Sequence, residues 1–490
     1  MRLGIWLVSQ GLRRWACLQG RLCACLGVCM VLAAGCQSVD GPDLGEIYSR
    51  SAMYHGADRR PVIVVPGILG SRLEEPDGGR VAWGAFGRGA VDPRTDEGAQ
   101  CVSLPMAVGR PLSELKDQVR ATGVLDRVQI SLLGLPVSLR AYAQVLGTLG
   151  VGGYRDQLLA EAGAVDYGED HFTCFQFPYD WRRDCAESAA ELHRFVKRQQ
   201  AYVRGELIKR GHEDPGDMPV DIVAHSMGSL VTRYFLMYGS APLPEDGSLP
   251  EVTWAGASLV NRVIFVGPPN AGSVYSLEQL VVGLDLWPWA PSYEPAILGT
   301  LPAVYQLMPR SRHKLVQRTQ GEDRAIDIYD PGVWERYGWG LADPEQDAVL
   351  EQLLPGVTSQ EARRKVALDH LGKCLRRAEQ FHRALDRRVQ RPAYPSLHLI
   401  LGDAVPTGRV ISVEDTGRLE VTELAPGDGT VTRASALLDE REGHTWQPQL
   451  ASPLSHDSVV FIFRDHLGLT KDPAFADNVL HLLLETQATR

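Results

Sequence analysis

Ser226 stands in the segment AHSMG, between a short apolar run and a stretch with helical spacing. A serine hydroxyl attacks an ester carbonyl only when it is held exposed on a sharp turn beside a base, with N–H groups facing the developing oxyanion. The small residues Ala224 and Gly228 let a strand and a helix approach closely enough to form such a turn. The spacing predicts a serine nucleophile for acyl transfer, and the alternative is an ordinary serine in a strand-to-helix loop.

A carboxylate must orient the base, and two aspartates downstream of the serine are candidates. Asp428 lies in the glycine turn GDGTV, where backbone N–H groups would keep it ionised and fixed. Asp403 follows directly on the apolar run SLHLILG. Local chemistry favours Asp428, leaves Asp403 open, and allows GDGT to be a plain β-turn.

The base must come later still in the chain. Four histidines do so, namely His444, His456, His466 and His481. His456 precedes the apolar segment SVVFIF, as expected for a histidine on a loop before a final helix, and it is the predicted base. His444, in a polar loop, is the main competitor.

The oxyanion hole would use the backbone N–H of Met227, which follows the nucleophile, and a second N–H after the first strand. PGILGS supplies that loop, and Ile68 is the predicted donor. The alternative is a glycine turn that merely ends the strand.

The elements that must position these groups alternate between strands and helices. Apolar runs predict strands at 61–65, 171–177, 220–223, 259–267 and 396–402. Helical periodicity appears at about 186–210 and 358–390, and after Ser226. This alternation predicts an α/β fold with a mostly parallel sheet. Residues 61–490 are expected to be one catalytic domain, with insertions near 75–170 and 274–390.

The amino terminus has the pattern of an export signal. Residues 1–35 bear four arginines and no acid, followed by an apolar run too short to span a bilayer comfortably. LAAGC is similar to a lipobox, which predicts lipidation at Cys36. The protein would then be a bacterial lipoprotein of the outer membrane, with a tether over residues 36–60. The alternatives are a cleaved signal without lipid and an uncleaved anchor. The chain is acidic, with a net charge of −10, so nucleic acid is not expected as a partner.

Four cysteines follow the lipobox, at Cys101, Cys174, Cys185 and Cys374. They allow three pairings into two disulfides or none, and Cys174 with Cys185 would close the shortest loop. No CxxC pair suggests zinc, and the predicted chemistry needs no metal or organic cofactor.

Four ordered blocks resemble the lecithin:cholesterol acyltransferase family, which includes lysosomal phospholipase A2 and phospholipid:diacylglycerol acyltransferases. The blocks are PVIVVPGILGSRLE, FPYDWR, AHSMGSLVTRYF and FVGPPNAGS, and GDGTV followed by a histidine fits the same family. The resemblance implies an α/β-hydrolase fold with Ser226 as nucleophile, Asp428 as acid and His456 as base. It favours Asp428 over Asp403 and implies Ile68 and Met227 as oxyanion donors.

The resemblance also implies a membrane-binding lobe after the first strand and a mobile lid that begins near Val274. Trp287 and Trp289 of that lid could enter a lipid surface, and core packing is the alternative. Asp180 and Trp181 are interpreted as structural residues behind the serine turn.

These features predict a lipid O-acyltransferase that moves a fatty acyl group from a phospholipid or other lipid ester to an alcohol at a membrane surface. With water as acceptor, the same site would make a phospholipase or lipase. Two rivals are an esterase for soluble substrates and a lipid-binding surface lipoprotein without catalysis.

Overall fold

The structure is a computed structural model that describes residues 42–76, 80–84, 91–124, 129–132, 135–138, 141–168, 171–285, 292–320, 325–441 and 449–486. Contacts divide the chain into a unit of residues 1–43, of which only Pro42 and Asp43 are described, and a compact unit from Leu44 onward. The predicted leader 1–35, Cys36, His444, Trp287 and Trp289 lie outside the described residues.

The strands are β1 Val62–Val65, β2 Ser71–Glu74, β3 Val81–Trp83, β4 Arg120–Val124, β5 Gln129–Leu132, β6 Leu135–Ser138, β7 Cys174–Gln176, β8 Val220–His225, β9 Val260–Val266, β10 Leu284–Asp285, β11 Ser292–Tyr293, β12 Val316–Arg318, β13 Ser396–Gly402, β14 Val405–Val413, β15 Leu419–Gly427 and β16 Ser458–Ile462.

The α-helices are α1 Leu44–Ile47, α2 Ser49–Ala52, α3 Asp96–Val102, α4 Ala141–Val151, α5 Gln157–Glu161, α6 Cys185–Lys209, α7 Met227–Tyr238, α8 Val274–Val282, α9 Pro295–Leu298, α10 Pro302–Gln306, α11 Pro331–Tyr337, α12 Asp347–Leu353, α13 Gln360–Leu385, α14 Arg433–Leu437 and α15 Pro473–Leu480. None of the helices in the described ranges is long and apolar enough to cross a membrane.

Six strands form the central sheet in the order β16, β13, β9, β8, β1, β7, and every neighbouring pair is parallel. Alternate side chains of each strand enter two apolar cores, one on either face of the sheet. In β1, Ile63 and Val65 belong to the larger core, whereas Val62 and Val64 belong to the smaller one. Burial on both faces explains why these strands appear in the sequence as continuous apolar runs. The predicted α/β class with a mostly parallel sheet is confirmed.

The insertions contain small sheets and helices. Between β1 and β7 lie the antiparallel sheet β3-β2-β4, the hairpin β5-β6 and helices α3 to α5. Between β9 and β13 the chain is mostly helical, from α8 to α13, with the hairpin β10-β11 and strand β12. In a second sheet, β12 of this insertion pairs with β14, which pairs with β15, and the turn that holds Asp428 follows β15.

The predicted tether over 36–60 is wrong from residue 44 onward. Tyr48 is 4% exposed, and its hydroxyl donates to a carboxylate oxygen of Asp477 at 2.6 Å. Arg59 is also buried; its guanidinium donates to the carbonyl oxygen of Gly152 and lies over the Tyr154 ring. Because these side chains pack against the catalytic body, this segment belongs to that body.

The four cysteines after the lipobox are all buried, and all four carry free thiols. The suggested pair of Cys174 with Cys185 is therefore not formed: Cys174 begins β7, and Cys185 begins α6.

Candidate active site

Ser226 occupies a strained turn between β8 and α7. Its backbone has φ 53° and ψ −127°, a conformation that L-residues rarely adopt and that is found at functional sites. The Ser226 N–H donates to the carbonyl oxygen of Val266 in the neighbouring β9, at 2.9 Å. Gly228 makes the turn possible, since a Cβ there would lie 2.3 Å from the carbonyl oxygen of Pro66. This is the geometry of a nucleophile elbow.

Asp428 follows the end of β15 and is held by its own turn. One carboxylate oxygen, Oδ1, accepts the N–H groups of Thr430 at 3.0 Å and Val431 at 2.7 Å. The side chain is 2% exposed, so these two donors replace water around a charge that would otherwise be costly to bury. The second oxygen, Oδ2, remains available to orient a base.

His466 is the base that the structure brings to Ser226. Its Nδ1 lies 2.7 Å from Asp428 Oδ2, and its Nε2 lies 2.9 Å from Ser226 Oγ. The partners assign the proton to Nδ1, which donates to the carboxylate, so that Nε2 accepts from the serine hydroxyl. Gly267 leaves room for the ring, because a Cβ there would come within 3.1 Å of it. Serine, imidazole and carboxylate thus form one hydrogen-bonded chain.

The structure does not bring His456 to Ser226, and the sequence prediction of His456 as base is replaced by His466. The segment after His456 is β16, an edge strand of the central sheet, and not a helix. His456 precedes this strand, whereas Ser226 lies at the opposite, carboxyl ends of the parallel strands. His466 follows β16 and therefore reaches the same end of the sheet as Ser226. The Nδ1 of His456 lies 3.4 Å from the Leu454 carbonyl oxygen.

The two remaining candidates for the acid and base do not join the site. Asp403 lies 3.3 Å from the guanidinium of Arg433 and does not contact His466. His481 begins a short π-helix after α15. A sequence signal for His466 does exist: the apolar run at 458–462 has strand length, and a base is needed after the last strand, not before it.

The loop after β1 lies directly against the nucleophile. A Cβ at Gly67 would be 2.8 Å from Ser226 Cβ, and the next residue, Ile68, lines the same pocket as Ser226. Met227 opens α7, where the first N–H groups have no partner within the helix. Within the described ranges, neither the Ile68 nor the Met227 N–H has a hydrogen-bond acceptor. Both N–H groups are therefore free to serve as the donors that the predicted oxyanion hole requires.

A buried hydrogen-bonded chain connects this loop to the base. The N–H of Gly67 donates to the Tyr142 hydroxyl at 2.6 Å, and that hydroxyl lies 3.0 Å from His225 Nδ1. His225 Nε2 lies 3.3 Å from the carbonyl oxygen of His466. Burial lowers the pKa of His225 to about 3, so the ring is neutral and has one N–H to donate to His466. These hydrogen bonds fix the position of the base relative to residues 66–70, the loop after β1, which we call the oxyanion loop.

Ser226 lies in the wall of a pocket that is otherwise largely apolar. Large side chains from the first loop, the first insertion, the loop after β7 and helices α9 and α10 form it, among them Leu69, Leu73, Trp83, Trp181, Leu298 and Val304. Trp181, interpreted from the sequence as structural, therefore also faces this pocket, and its Nε1 donates to Ser71 O at 3.2 Å. Asp180 is structural, since it forms an ion pair with the buried Arg182 at 2.8 Å. The pocket suits a hydrocarbon chain better than a polar substrate.

Metal ligands are not grouped in the described part of the chain, which contains no set of three or more His, Cys, Asp or Glu side chains arranged around a common point. The chemistry of this site is that of its serine, imidazole, carboxylate and backbone donors.

Comparison with solved structures identifies the fold. A chain of the Tle4–Tli4 complex matches with a TM-score of 0.55 at 16% identity, covering 87% of this chain and 98% of that one. Bacillus licheniformis lipase BlEst2 in its propeptide form has a TM-score of 0.29 at 10% identity, over 89% and 52% of the two chains. EstA from Clostridium botulinum has a TM-score of 0.30 at 14% identity, over 91% of both chains. The protein has an α/β-hydrolase fold.

Sequence comparison addresses the family. No curated protein is significantly similar to this chain. The family model for lecithin:cholesterol acyltransferase matches residues 156–327, a range that includes Ser226 and ends before Asp428 and His466. The resemblance drawn from the sequence blocks is confirmed, because this chain is similar to the lecithin:cholesterol acyltransferase family model over residues 156–327.

Proposed function

We propose that this protein is a lipid O-acyltransferase that works through a serine acyl-enzyme. One observation carries the proposal: Ser226, bonded to His466, lies in the wall of a pocket built largely from apolar side chains. The family domain and the α/β-hydrolase fold support a lipid-modifying enzyme of the serine hydrolase kind. The transfer to an alcohol is the finer part of the proposal.

The reaction begins when Ser226 Oγ attacks the ester carbonyl and its proton passes to His466 Nε2. The N–H groups of Ile68 and Met227 stabilise the oxyanion, and the His466 imidazolium is stabilised by Asp428. The imidazolium then gives its proton to the leaving alkoxide, which departs as an alcohol and leaves the acyl group on Ser226. An acceptor alcohol attacks this ester, loses its proton to His466, and leaves as the new ester while Ser226 regains its proton.

Product analysis tests this proposal. The chain from Leu44 onward and its Ser226→Ala variant would be incubated with vesicles of acyl-labelled phospholipid that contain a long-chain alcohol. We expect new ester from the serine form only. Free fatty acid alone would make the enzyme a phospholipase, because water would then be the acceptor. A soluble ester hydrolysed without any turnover of vesicles would favour the esterase rival, and lipid binding without serine-dependent product would favour the binding protein.

We also propose that the protein is exported and anchored through a lipid on Cys36, as the sequence of residues 1–36 supports. Growth of a bacterial host with labelled fatty acid, followed by recovery of the full chain, tests this. We expect label on the full chain, with its fractionation in the outer membrane, and no label on a Cys36→Ala variant. Equal label on both would refute the anchor.

A further inference from the structure

The apolar pocket that contains Ser226 has polar side chains in its wall whose hydroxyl or amide groups lack a hydrogen-bond partner. Within the described ranges these side chains are Ser276, Gln279, Tyr293 and Thr430. A polar group that faces an apolar space without a partner costs free energy. Such groups therefore point to a ligand that completes their hydrogen bonds.

Ser276 and Gln279 lie on one face of α8, because residues three positions apart in a helix are neighbours. Ser276 is 5% exposed. The usual partner of a serine hydroxyl inside a helix is the carbonyl oxygen four residues earlier. Here that atom, the Gly272 oxygen, accepts the hydroxyl of Ser435 at 2.6 Å. The Ser276 hydroxyl and the Gln279 amide together form what we call the polar face of α8.

The polar face of α8 begins beside the triad. Ser273 immediately precedes α8, and its hydroxyl donates to the Thr430 carbonyl oxygen at 2.7 Å. The Thr430 N–H in turn donates to Asp428 at 3.0 Å. From the rise of an α-helix, Ser276 and Gln279 lie about 4.5 and 9 Å further along the helix axis than Ser273. An acyl chain that runs along α8 from the reacting ester therefore passes Ser276 first and Gln279 next.

A hydroxyl group is the chemical complement of these two side chains. A serine hydroxyl and a glutamine amide each offer both a donor and an acceptor, and neither is charged. A hydroxyl on the ligand also donates and accepts, whereas a ketone or ester carbonyl only accepts. A carboxylate or phosphate at this place would be a buried charge without a counter-charge.

We propose that Ser276 and Gln279 bind a hydroxyl group near the ester end of the acyl chain, so that the enzyme selects hydroxylated fatty acyl esters over plain ones. The inference rests on the proposed acyl transfer and names the class of its acyl donor. The apolar side of the pocket, with Leu298, Leu301 and Val304, contacts the hydrocarbon part of the chain. A site built to bond a hydroxyl discriminates against the analogue that lacks it, because its polar groups are then left unpaired.

Consumption of two monomeric esters tests this, methyl β-hydroxyoctanoate and methyl octanoate, which differ only in the hydroxyl. We expect kcat/KM to be about tenfold higher for the hydroxylated ester, and Ser276→Ala to lower that preference about threefold. Gln279→Leu should reverse the preference, because an apolar wall slows the hydroxylated ester and favours the plain chain. Since the ratio is taken within each protein, a variant that folds poorly lowers both rates and leaves their ratio in place.

Gln360→Leu is the matched control, because Gln360 is exposed at the start of α13 and does not line the pocket. It should leave the ratio of the two kcat/KM values unchanged. Equal values for the two esters in the parent chain would overturn the inference. So would a preference that survives Ser276→Ala combined with Gln279→Leu, or a control variant that shifts the ratio as Gln279→Leu does.

The same hydrogen bonds fit a hydroxyl on the acceptor alcohol, so two acceptors are compared as well. Methyl octanoate is incubated with an equal mixture of octanol and an octanediol whose hydroxyls are on adjacent carbons. We expect no selection between the two alcohols. Selection of the diol that Gln279→Leu removes, without any selection between the methyl esters, would assign the hydroxyl to the acceptor and overturn its assignment to the acyl chain.

A binding measurement separates this inference from the proposed function. Titration of the Ser226→Ala variant should show about tenfold tighter binding of methyl β-hydroxyoctanoate than of methyl octanoate, and adding Gln279→Leu should remove the difference. Selective binding without serine-dependent turnover of either ester would uphold the hydroxyl site and refute the acyl transfer. Turnover of both esters at equal rates would uphold the acyl chemistry and refute the hydroxyl site.

Discussion

At the scale of single residues, Tyr142 and His225 connect the oxyanion loop to the base, His466. Tyr142 accepts from Gly67, at the start of the oxyanion loop, and His225 reaches the main chain of the base. The side chains of Tyr142, His225 and His466 are all buried. Water therefore cannot replace a lost hydrogen bond here without a large cost in free energy. Both are positioning residues, because neither contacts the reacting atoms.

Tyr142→Phe removes one hydroxyl from this chain. We expect kcat to fall about tenfold with KM changed less than twofold, because a buried N–H left without an acceptor costs ~1–3 kcal/mol and displaces the oxyanion loop. Steady-state kinetics with a soluble ester, beside the unfolding free energy of both forms, checks this. A rise in KM alone, or no change in either constant, would show that Tyr142 does not position the loop.

Much of the site could be predicted residue by residue. The apolar runs of two strands are easily recognised, and they are followed by Ser226, Met227 and Ile68. The N–H donors that hold Asp428 come from residues of the same turn, two and three positions later. The base could not be assigned in this way, because its position depends on which end of β16 faces the nucleophile. The sequence predicts a final helix after His456, but the apolar segment there forms β16. The register of β16 beside β13 is a long-range property of the sheet.

The elbow between β8 and α7 depends on close packing at the scale of elements. At Gly228, a Cβ would lie 2.3 Å from the Pro66 carbonyl oxygen and 2.7 Å from that of Val65. Since both atoms are main chain, the strand or the helix would have to shift.

Gly228→Ala should therefore destabilise the fold by ~1–3 kcal/mol and abolish most of the activity. Gly205→Ala in α6 is the matched control, because a Cβ there meets nothing within 4 Å, and it should stabilise by ~0.5–1 kcal/mol through helix propensity. Urea unfolding of both variants checks the pair. Similar free energies of unfolding for the two would contradict this account of the elbow.

Helix α13 contains a buried histidine that makes stability depend on pH. His370 Nε2 lies 3.1 Å from the Thr300 carbonyl oxygen, and Nδ1 has no partner in the described part of the chain. Burial lowers the pKa of His370 to about 4, below its usual value near 6.5. Between these values the unfolded chain binds the proton and the native chain does not, so stability falls as pH falls through this window and is unaffected above it.

This histidine alone should cost ~2–3 kcal/mol of stability between pH 7 and pH 4.5. His370→Gln keeps a donor for Thr300 and does not titrate, so the variant should lose correspondingly less over the same range. Urea unfolding at the two pH values measures the difference. Equal losses for the two proteins would show that His370 is not the titrating group.

The whole molecule divides at residue 43, and its catalytic body begins before the first strand. The segment 44–60 contributes the buried Tyr48 and Arg59 to this body. The sequence predicts a tether there because the segment is polar and rich in glycine and aspartate. The parallel sheet and the order of its helices could be predicted, since they rest on local periodicity. The boundary of the body could not, because it depends on contacts such as that of Tyr48 with Asp477, far apart in sequence.

Truncation tests this boundary. A chain that begins at Leu44 should unfold at the same free energy as the full chain, within ~1 kcal/mol. A chain that begins at Pro61 should lose ~3 kcal/mol or more, because it exposes the surfaces that Tyr48 and Arg59 cover. Equal stability of the two truncated chains would show that residues 44–60 are a tether and not part of the folded body.

The central claim is that Ser226 is activated by His466, which Asp428 orients. The most direct measurement is the rate at which an alkyl fluorophosphonate, which reacts with activated serines, modifies the chain, followed by intact mass. We predict one modification on Ser226 in the parent chain and in His456→Ala, and a rate at least ~10³-fold lower in His466→Ala. Modification of Ser226→Ala, unimpaired labelling of His466→Ala, or loss of labelling in His456→Ala would contradict the account.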